Sequence, residues 1–351
     1  MKRILVTGGG GFLGQAICRQ LVQKNYRVRA FNRQNYAELQ ALGIELIQGD
    51  LCNKEQVVAA AKDCDAIIHT AAKAGVWGSI AEYEAINVMG TRHVLAACDI
   101  HNIRYLVYTS SPSVVFDGKD QNGVDESVPY PDRYLAGYPQ TKAQAEREVI
   151  AANNQKLKTV SLRPHLIWGP GDPHLAPRLI ERARQGRLRL IDRGEKLVDT
   201  VYVDNAAAAH ILALEDLLCD QSKSAGQVYF ITNQEPWPLS RVVENILHAA
   251  GLDSKVKSIP QRLALPLATL MEQSYRWLGI RREPLLTPFV VKQLATAHWY
   301  DPKRAQQDLQ YAPKISMEEG MNRLQRDYKR QAMMKTETEE LPQRHAVSEL
   351  H

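Results

Sequence analysis

Over the first 165 residues, short runs rich in branched aliphatics alternate with longer stretches of helical apolar spacing. Strands are predicted at Arg3–Thr7, Arg27–Phe31, Ile44–Gln48, Ala66–His69, Tyr105–Thr109 and Thr159–Leu162, and helices over Phe12–Lys24, Glu82–Cys98 and Tyr138–Asn153. Runs such as RILVT and AIIH carry few or no polar residues at alternate positions, so both of their faces are to be covered. A parallel sheet with helices on two sides does that, and the short strand–long helix rhythm matches it. The expected fold class is therefore α/β, a Rossmann-type doubly wound parallel sheet. Ligands on such sheets sit at the carboxyl ends of the strands, where the strand order reverses.

After Arg163 the alternation degrades. Pro164, Gly169, Pro170, Gly171, Pro173 and Pro177 punctuate a long loop, an Arg-rich helix is predicted over Arg178–Gln185, and Val201–Leu218 reads as one more strand–helix return. From Pro236 onward, helical segments are separated by prolines. Residues 1–165, with 199–219 returning to them, are read as the nucleotide-binding domain. Residues 166–198 and 220–330 are read as a smaller C-terminal substrate-binding lobe. The stretch 332–351 lacks apolar periodicity and is expected to be a disordered tail.

Charge narrows the partners. The chain has 44 basic and 39 acidic residues, too small an excess to imply nucleic acid. Residues 1–33 hold seven of the basic residues and no acid, so the excess lies where an anion is expected. The five cysteines are scattered without a CxxC pair, which suits reduced thiols in a cytoplasmic protein. The N-terminal apolar run is too short for a signal peptide. No run of about 18 uncharged apolar residues exists, so no transmembrane segment is expected; no metal site is expected either.

The turn Thr7-Gly8-Gly9-Gly10-Gly11-Phe12-Leu13-Gly14 follows the first strand and opens the first helix. Gly8 permits the tight turn, Gly11 lets backbone approach a pyrophosphate, and Gly14 lets the helix pack on the sheet. The amides at Phe12 and Leu13 open the helix and face the phosphates. At the end of the second strand stands Phe31-Asn32-Arg33. A site for NAD would place a carboxylate there for the ribose 2′-OH. Asn32 does not repel a 2′-phosphate and Arg33 can grip one, so the cofactor is read as NADP(H). Asp50 sits where an adenine amino group could be read, although alone it is an ordinary turn aspartate. Leu51, Ala71, Ala72 and Pro164 are assigned to the same cofactor site.

Tyr138 and Lys142 stand at i and i+4, on one helix face. A lysine beside a tyrosine is expected to lower the phenol toward neutrality and make it a proton donor or acceptor. Ser110-Ser111 ends the fifth strand, on the same carboxyl edge as the glycine turn.

With the glycine turn, Thr109-Ser110-Ser111 and Tyr138…Lys142 in this order, residues 1–330 resemble an extended short-chain dehydrogenase/reductase. The resemblance implies that Ser111 orients the substrate oxygen, that Tyr138 is the acid/base, and that Lys142 also holds the nicotinamide ribose. Within that family the chain is most similar to the 3β-hydroxysteroid dehydrogenase-like branch. The stretches from Ala71 to Gly78, Ser111 to Gly118 and Arg163 to Asp172 resemble the 2-alkyl-3-oxoalkanoate reductases of bacterial long-chain olefin biosynthesis. That likeness implies NADPH-dependent reduction of a hydrophobic β-keto acid. It further implies an assembly with a β-lactone synthetase and a β-lactone decarboxylase. The family also implies a homodimer, formed through the helices at Glu82–Cys98 and Tyr138–Asn153. A 3β-hydroxysteroid or sterol dehydrogenase is the alternative enzyme; an NADP(H)-sensing or scaffold subunit is the non-enzymatic one.

A β-keto acid with two alkyl chains needs an apolar groove and a cation for its carboxylate. Trp77 and Trp168 are read as pocket walls or core anchors. Lys73, His165 or one of the arginines between Arg178 and Arg193 are the candidates for the carboxylate. Leu263–Leu278 fits an acyl-chain channel, a membrane-surface patch or subunit packing.

Overall fold

The computed structural model describes residues 2–253 and 255–348. Its main sheet has seven parallel strands: β1 Arg3–Thr7, β2 Arg27–Asn32, β3 Glu45–Gln48, β4 Ala66–His69, β5 Tyr105–Thr109, β6 Lys158–Pro164 and β7 Gln227–Ile231. They are ordered β3-β2-β1-β4-β5-β6-β7, so the order reverses between β1 and β4. Alternate residues of β1 feed opposite faces. Ile4 and Val6 join the core shared with helices Phe12–Gln23 and Val203–Leu217. Leu5 joins the core under Lys54–Ala61 and Gly90–Ile100. Helix Val203–Leu217 buries Ala206, Ala207, Ala209 and Ala213, and these small side chains let it pack closely against Phe12–Gln23.

Three expectations are corrected. Val201–Leu218 does not return a strand to the main sheet: Val201–Tyr202 pairs with Ile167–Trp168 in a separate ribbon, and only its helix covers the sheet. The strand that does return is β7, paired in register with β6 from Gln227↔Val160 to Ile231↔Pro164. It lies inside the segment 220–330 assigned to the second lobe. Pairing there satisfies the open edge of β6, which a short apolar run in a proline-punctuated region does not announce. Conversely Gln121–Val124, from within 1–165, joins Leu197–Val198, Trp237–Pro238 and His298–Tyr300 in a small sheet of the other lobe.

The stretch 332–351, read as a disordered tail, continues helix Met317–Ser348; residues 349–351 lie outside the described residues. Missing apolar periodicity argues against packing, but local backbone bonds extend a helix without it.

The predicted helix Glu82–Cys98 is three pieces: α over Ile80–Tyr83, a π-turn over Glu84–Met89 and α over Gly90–Ile100. The Arg-rich helix runs from Leu175 to Arg184. Its start is capped by the Asp172 carboxylate, which accepts the amides of His174, Leu175 and Ala176.

Candidate active site

The glycine turn sits on the carboxyl edge beside the reversal point. Gly8 has φ +70° and donates its amide to the Phe31 carbonyl at 2.9 Å. A Cβ on Gly14 would lie 2.0 Å from the Gly8 carbonyl oxygen, and one on Gly8 2.9 Å from the Ala71 Cα. Both positions are therefore closed to any side chain. No side chain caps helix Phe12–Gln23, so the first amides, including those of Phe12 and Leu13, remain for an anion. A cleft of about 520 Å³ opens here between Gly10, Gly11, Phe12 and Tyr36 on one side and Pro170, Gly171 and Tyr202 on the other. These features fit a dinucleotide.

Asn32 ends β2 with its side chain turned to the glycine turn. Its Oδ1 accepts the Gly10 amide at 2.6 Å, while its buried Nδ2 has no partner. Arg33 is exposed, and among the described residues its guanidinium has no hydrogen bond or ion pair. Asp50 is also exposed, with Oδ1 accepting the Cys52 amide at 2.9 Å. Leu51 spends its side chain in the core against Gly90, where a Cβ would come within 2.5 Å of its Cδ2, so any ligand contact it makes is through backbone. Ala71 abuts Gly8, Ala72 is exposed, and Pro164 is the last residue of β6.

The structure brings Ser111 and Tyr138 together. Ser111 caps the short 3-10 turn Pro112–Val115, accepting the Ser113 amide and sharing a 2.9 Å hydrogen bond with the Ser113 hydroxyl. Ser110 instead turns inward, its hydroxyl buried without a partner. Burial pushes the Tyr138 phenol above its ordinary value of 10, and a hydrogen bond from Ser111 pulls it partly back. The expectation that Lys142 lowers this phenol is corrected. The Lys142 ammonium donates to the Thr109 carbonyl at 2.6 Å and lies 4.2 Å over the Tyr108 ring. Burial brings Lys142 itself down to about 7, opposed by Glu146 one turn along. A phenol held high stays protonated at neutral pH, which is the form a proton donor needs.

Two of the proposed substrate residues are corrected. Trp168 is fully buried, donating Nε1 to the Thr200 hydroxyl at 2.9 Å and meeting Tyr202 edge-on; it anchors the core rather than lining a pocket. His165 is buried edge-on against His298 and Tyr300. Burial drives it well below 6.5, so it is neutral and offers a carboxylate no charge. Lys73 is ion-paired with Glu82 and sits 5.3 Å over the Tyr83 ring. Trp77 bridges lobes: its Nε1 donates to the Ile280 carbonyl at 3.1 Å, and its ring meets Tyr275 edge-on. Of the arginines, Arg178 pairs with Glu283 at 3.2 Å and Arg182 donates to the Leu285 carbonyl.

Asn87 escaped the sequence reading. In the π-turn, its Oδ1 accepts the Lys73 amide at 2.7 Å, while Nδ2 donates to the Lys73 carbonyl and to the Thr141 hydroxyl. It thus ties the loop after β4 to the helix carrying Tyr138 and Lys142. The available signal was a poor helix former in the middle of a predicted helix.

Beneath His165, the buried Asp199 carboxylate accepts the Tyr300 amide at 2.9 Å. Burial raises it from 3.8 to about 7. A carboxyl raised on folding contributes stability below its unfolded value and loses it as pH climbs through the folded value. The wild type should therefore lose up to about 4 kcal/mol between pH 4 and 7 from this group. Asp199→Asn keeps an acceptor for Tyr300 and should gain stability relative to wild type as pH rises from about 5 to about 8. Denaturant titrations at both values check this; parallel pH slopes would contradict it.

With this geometry in place, the comparisons with known proteins decide the family. Residues 5–262 match the 3-beta hydroxysteroid dehydrogenase/isomerase family. The chain belongs to that family. It is accordingly an oxidoreductase of hydroxyl and keto groups. It is 50% identical to the 2-alkyl-3-oxoalkanoate reductase of Stenotrophomonas maltophilia, over 92% of this chain and 98% of that one. It is 47% identical to the enzyme of the same name from Shewanella oneidensis, over 92% and 86%. A mouse sterol-4-alpha-carboxylate 3-dehydrogenase, decarboxylating, is 34% identical over 92% of this chain and 90% of its own. Among solved structures, UDP-glucuronic acid 4-epimerase from Bacillus cereus in complex with NAD superposes with a TM-score of 0.71 at 22% identity, covering 93% and 99%. That likeness shows the shared fold.

Proposed function

We propose that this chain reduces 2-alkyl-3-oxoalkanoic acids to 2-alkyl-3-hydroxyalkanoic acids with NADPH, as a step of long-chain olefin biosynthesis. The observation that carries the reading is the Tyr138 phenol, held high by burial and lowered in part by the Ser111 hydroxyl, on the same carboxyl edge as the glycine turn. The substrate class rests on the two oxoalkanoate reductases. The mouse relative's name supports it too, since it places a carboxylate on the carbon next to the reacting one.

The turn from Gly8 to Gly14 and the end of β2 at Asn32 and Arg33 would hold the reduced dinucleotide, which would supply a hydride for the ketone carbon. The Ser111 hydroxyl holds the ketone oxygen, and Tyr138 donates its proton to that oxygen as negative charge develops. Lys142, anchored on the Thr109 carbonyl, stands one turn from Tyr138 to hold the ribose. Asn87 fixes the loop carrying Lys73 and Trp77 against the helix that carries Tyr138 and Lys142. Lys73 is the cation retained for the substrate carboxylate.

The choice of NADPH rests on the end of β2, where Asn32 offers an Nδ2 unpartnered among the described residues and Arg33 an exposed guanidinium. Arg33→Ala should weaken NADPH about tenfold or more while leaving NADH within about twofold, as expected for one charge-assisted contact. Fluorescence titration of both cofactors checks this; equal weakening would remove Arg33 from the 2′-phosphate.

We further propose a homodimer through helices Ile80–Ile100 and Gly137–Ala151, whose surface carries the exposed Met89 and Ile100. The hydroxy acid product would pass to a β-lactone synthetase and then a β-lactone decarboxylase. Among the described residues no helix is long and apolar enough to cross a membrane.

The sterol reading keeps one supporting observation, the 34% identity to the mouse enzyme. Parallel incubation with NADPH and a 2-alkyl-3-keto acid, a 3-ketosteroid or a UDP-sugar separates the readings. Turnover of the keto acid is expected; turnover of the steroid alone would replace the proposal.

A further inference from the structure

The helix Gln261–Trp277 is built inside out. Its buried residues are the small Ala264 and Ala268, whereas Leu263, Leu267, Leu270 and Trp277 are exposed, Leu270 by 63% and Trp277 by 87%. Their spacing of four, three and seven places them on one helix face. Leu278 extends the patch and is also exposed. A helix held on by core packing turns its large apolar side chains inward. Here the large ones face out, and a contiguous apolar face of this kind marks an interaction surface.

Charge selects the occupant. Residues 255–282 hold six basic residues (Lys255, Lys257, Arg262, Arg276, Arg281 and Arg282) and one acid, Glu272. Arg276 pairs with Glu272, but Arg262, Arg281 and Arg282 are exposed and have no ion pair among the described residues. Leucines and a tryptophan on one face, bordered by exposed arginines, suit the boundary of an anionic bilayer. A second copy of the same face would bring like charges together.

We propose that helix Gln261–Trp277 seats this protein on anionic lipid bilayers, lying in the plane of the interface without crossing it. The seat adjoins the loop after β4. Trp77, on the loop after β4, bonds to Ile280 and packs on Tyr275, and the Arg276 guanidinium lies 5.2 Å over its ring. On the proposed function, a two-chain keto acid would enter from the lipid phase beside Trp77.

Flotation of the full chain with vesicles of phosphatidylcholine, with and without phosphatidylglycerol, tests the seat. The wild type should float with the anionic vesicles, less so at high salt and less with phosphatidylcholine alone. Leu267→Glu with Leu270→Glu, both at exposed positions, should lower the bound fraction at least about tenfold; Arg281→Glu with Arg282→Glu should abolish the preference for anionic lipid. A wild type that binds neither vesicle overturns the proposal, and so does a leucine variant that floats like wild type. If sedimentation shows those leucine changes splitting an oligomer without lipid, a second copy covers the face and the proposal falls. Turnover of a short-chain, water-soluble keto acid should be the same in variant and wild type. Absence of that turnover with vesicle binding intact would sink the proposed substrate and leave the lipid seat standing.

Discussion

Replacing Tyr138 with phenylalanine should cut keto-acid reduction about a thousandfold or more while leaving NADPH binding within about twofold of wild type. The change deletes one hydroxyl from a ring that keeps its place on helix Gly137–Ala151. Burial holds that hydroxyl protonated against the pull of Ser111, so its loss removes the proton source for the oxygen. Most of the proposed cofactor contacts belong to the glycine turn and the end of β2, at other strand ends, and Lys142 is left in place. Steady-state rates together with a binding titration give the split. A Tyr138→Phe enzyme that retains its rate would assign proton delivery to another group.

The second large effect lies about two turns further along the same helix. Glu146 and Arg163 are almost wholly excluded from solvent and bond bidentately, Nη2 to Oε1 at 2.6 Å and Nε to Oε2 at 3.0 Å. The Tyr130 hydroxyl donates to Glu146 at 2.6 Å as well. Glu146→Ala strands a buried guanidinium on β6 and should cost about 3–5 kcal/mol. Glu146→Leu combined with Arg163→Met should recover most of it, because buried pairs lose little when both charges leave. Glu146 also supports the charge on Lys142, so Glu146→Gln should shift the titration of Lys142 further downward. Denaturant unfolding of single and double variants reads the first effect. A single-variant cost below about 1 kcal/mol would show that water reaches the pair.

The sheet was legible because β1, β4 and β5 are buried on both faces and read as unbroken apolar runs between helices. The glycine turn was legible because sterics leave those positions no choice; Gly14 cannot carry a Cβ. What the chain hides is pairing at long separation. β7 is five residues long and finds β6 across more than sixty positions, and Gln121–Val124 crosses to the other lobe. Periodicity within a window carries neither. The site divides in the same way. Tyr138 and Lys142 were marked by their i,i+4 spacing and the Ser110-Ser111 pair by its strand end, while the choice of Ser111 and the three roles came from the family resemblance. Whether a histidine or tryptophan lines a pocket depends on its neighbours, and His165 and Trp168 turned out to pack on His298, Tyr300, Thr200 and Tyr202. The direction of the Tyr138 shift had the same origin: i,i+4 spacing places Lys142 on the same face, but the Thr109 carbonyl draws its ammonium away.

Transfer of label tests the central claim most directly. NADPH carrying deuterium at the transferable position, incubated with a 2-alkyl-3-oxoalkanoic acid, should yield the 2-alkyl-3-hydroxy acid with one deuterium on the carbinol carbon. An unlabelled product, or an unchanged keto acid beside active protein, would contradict the account.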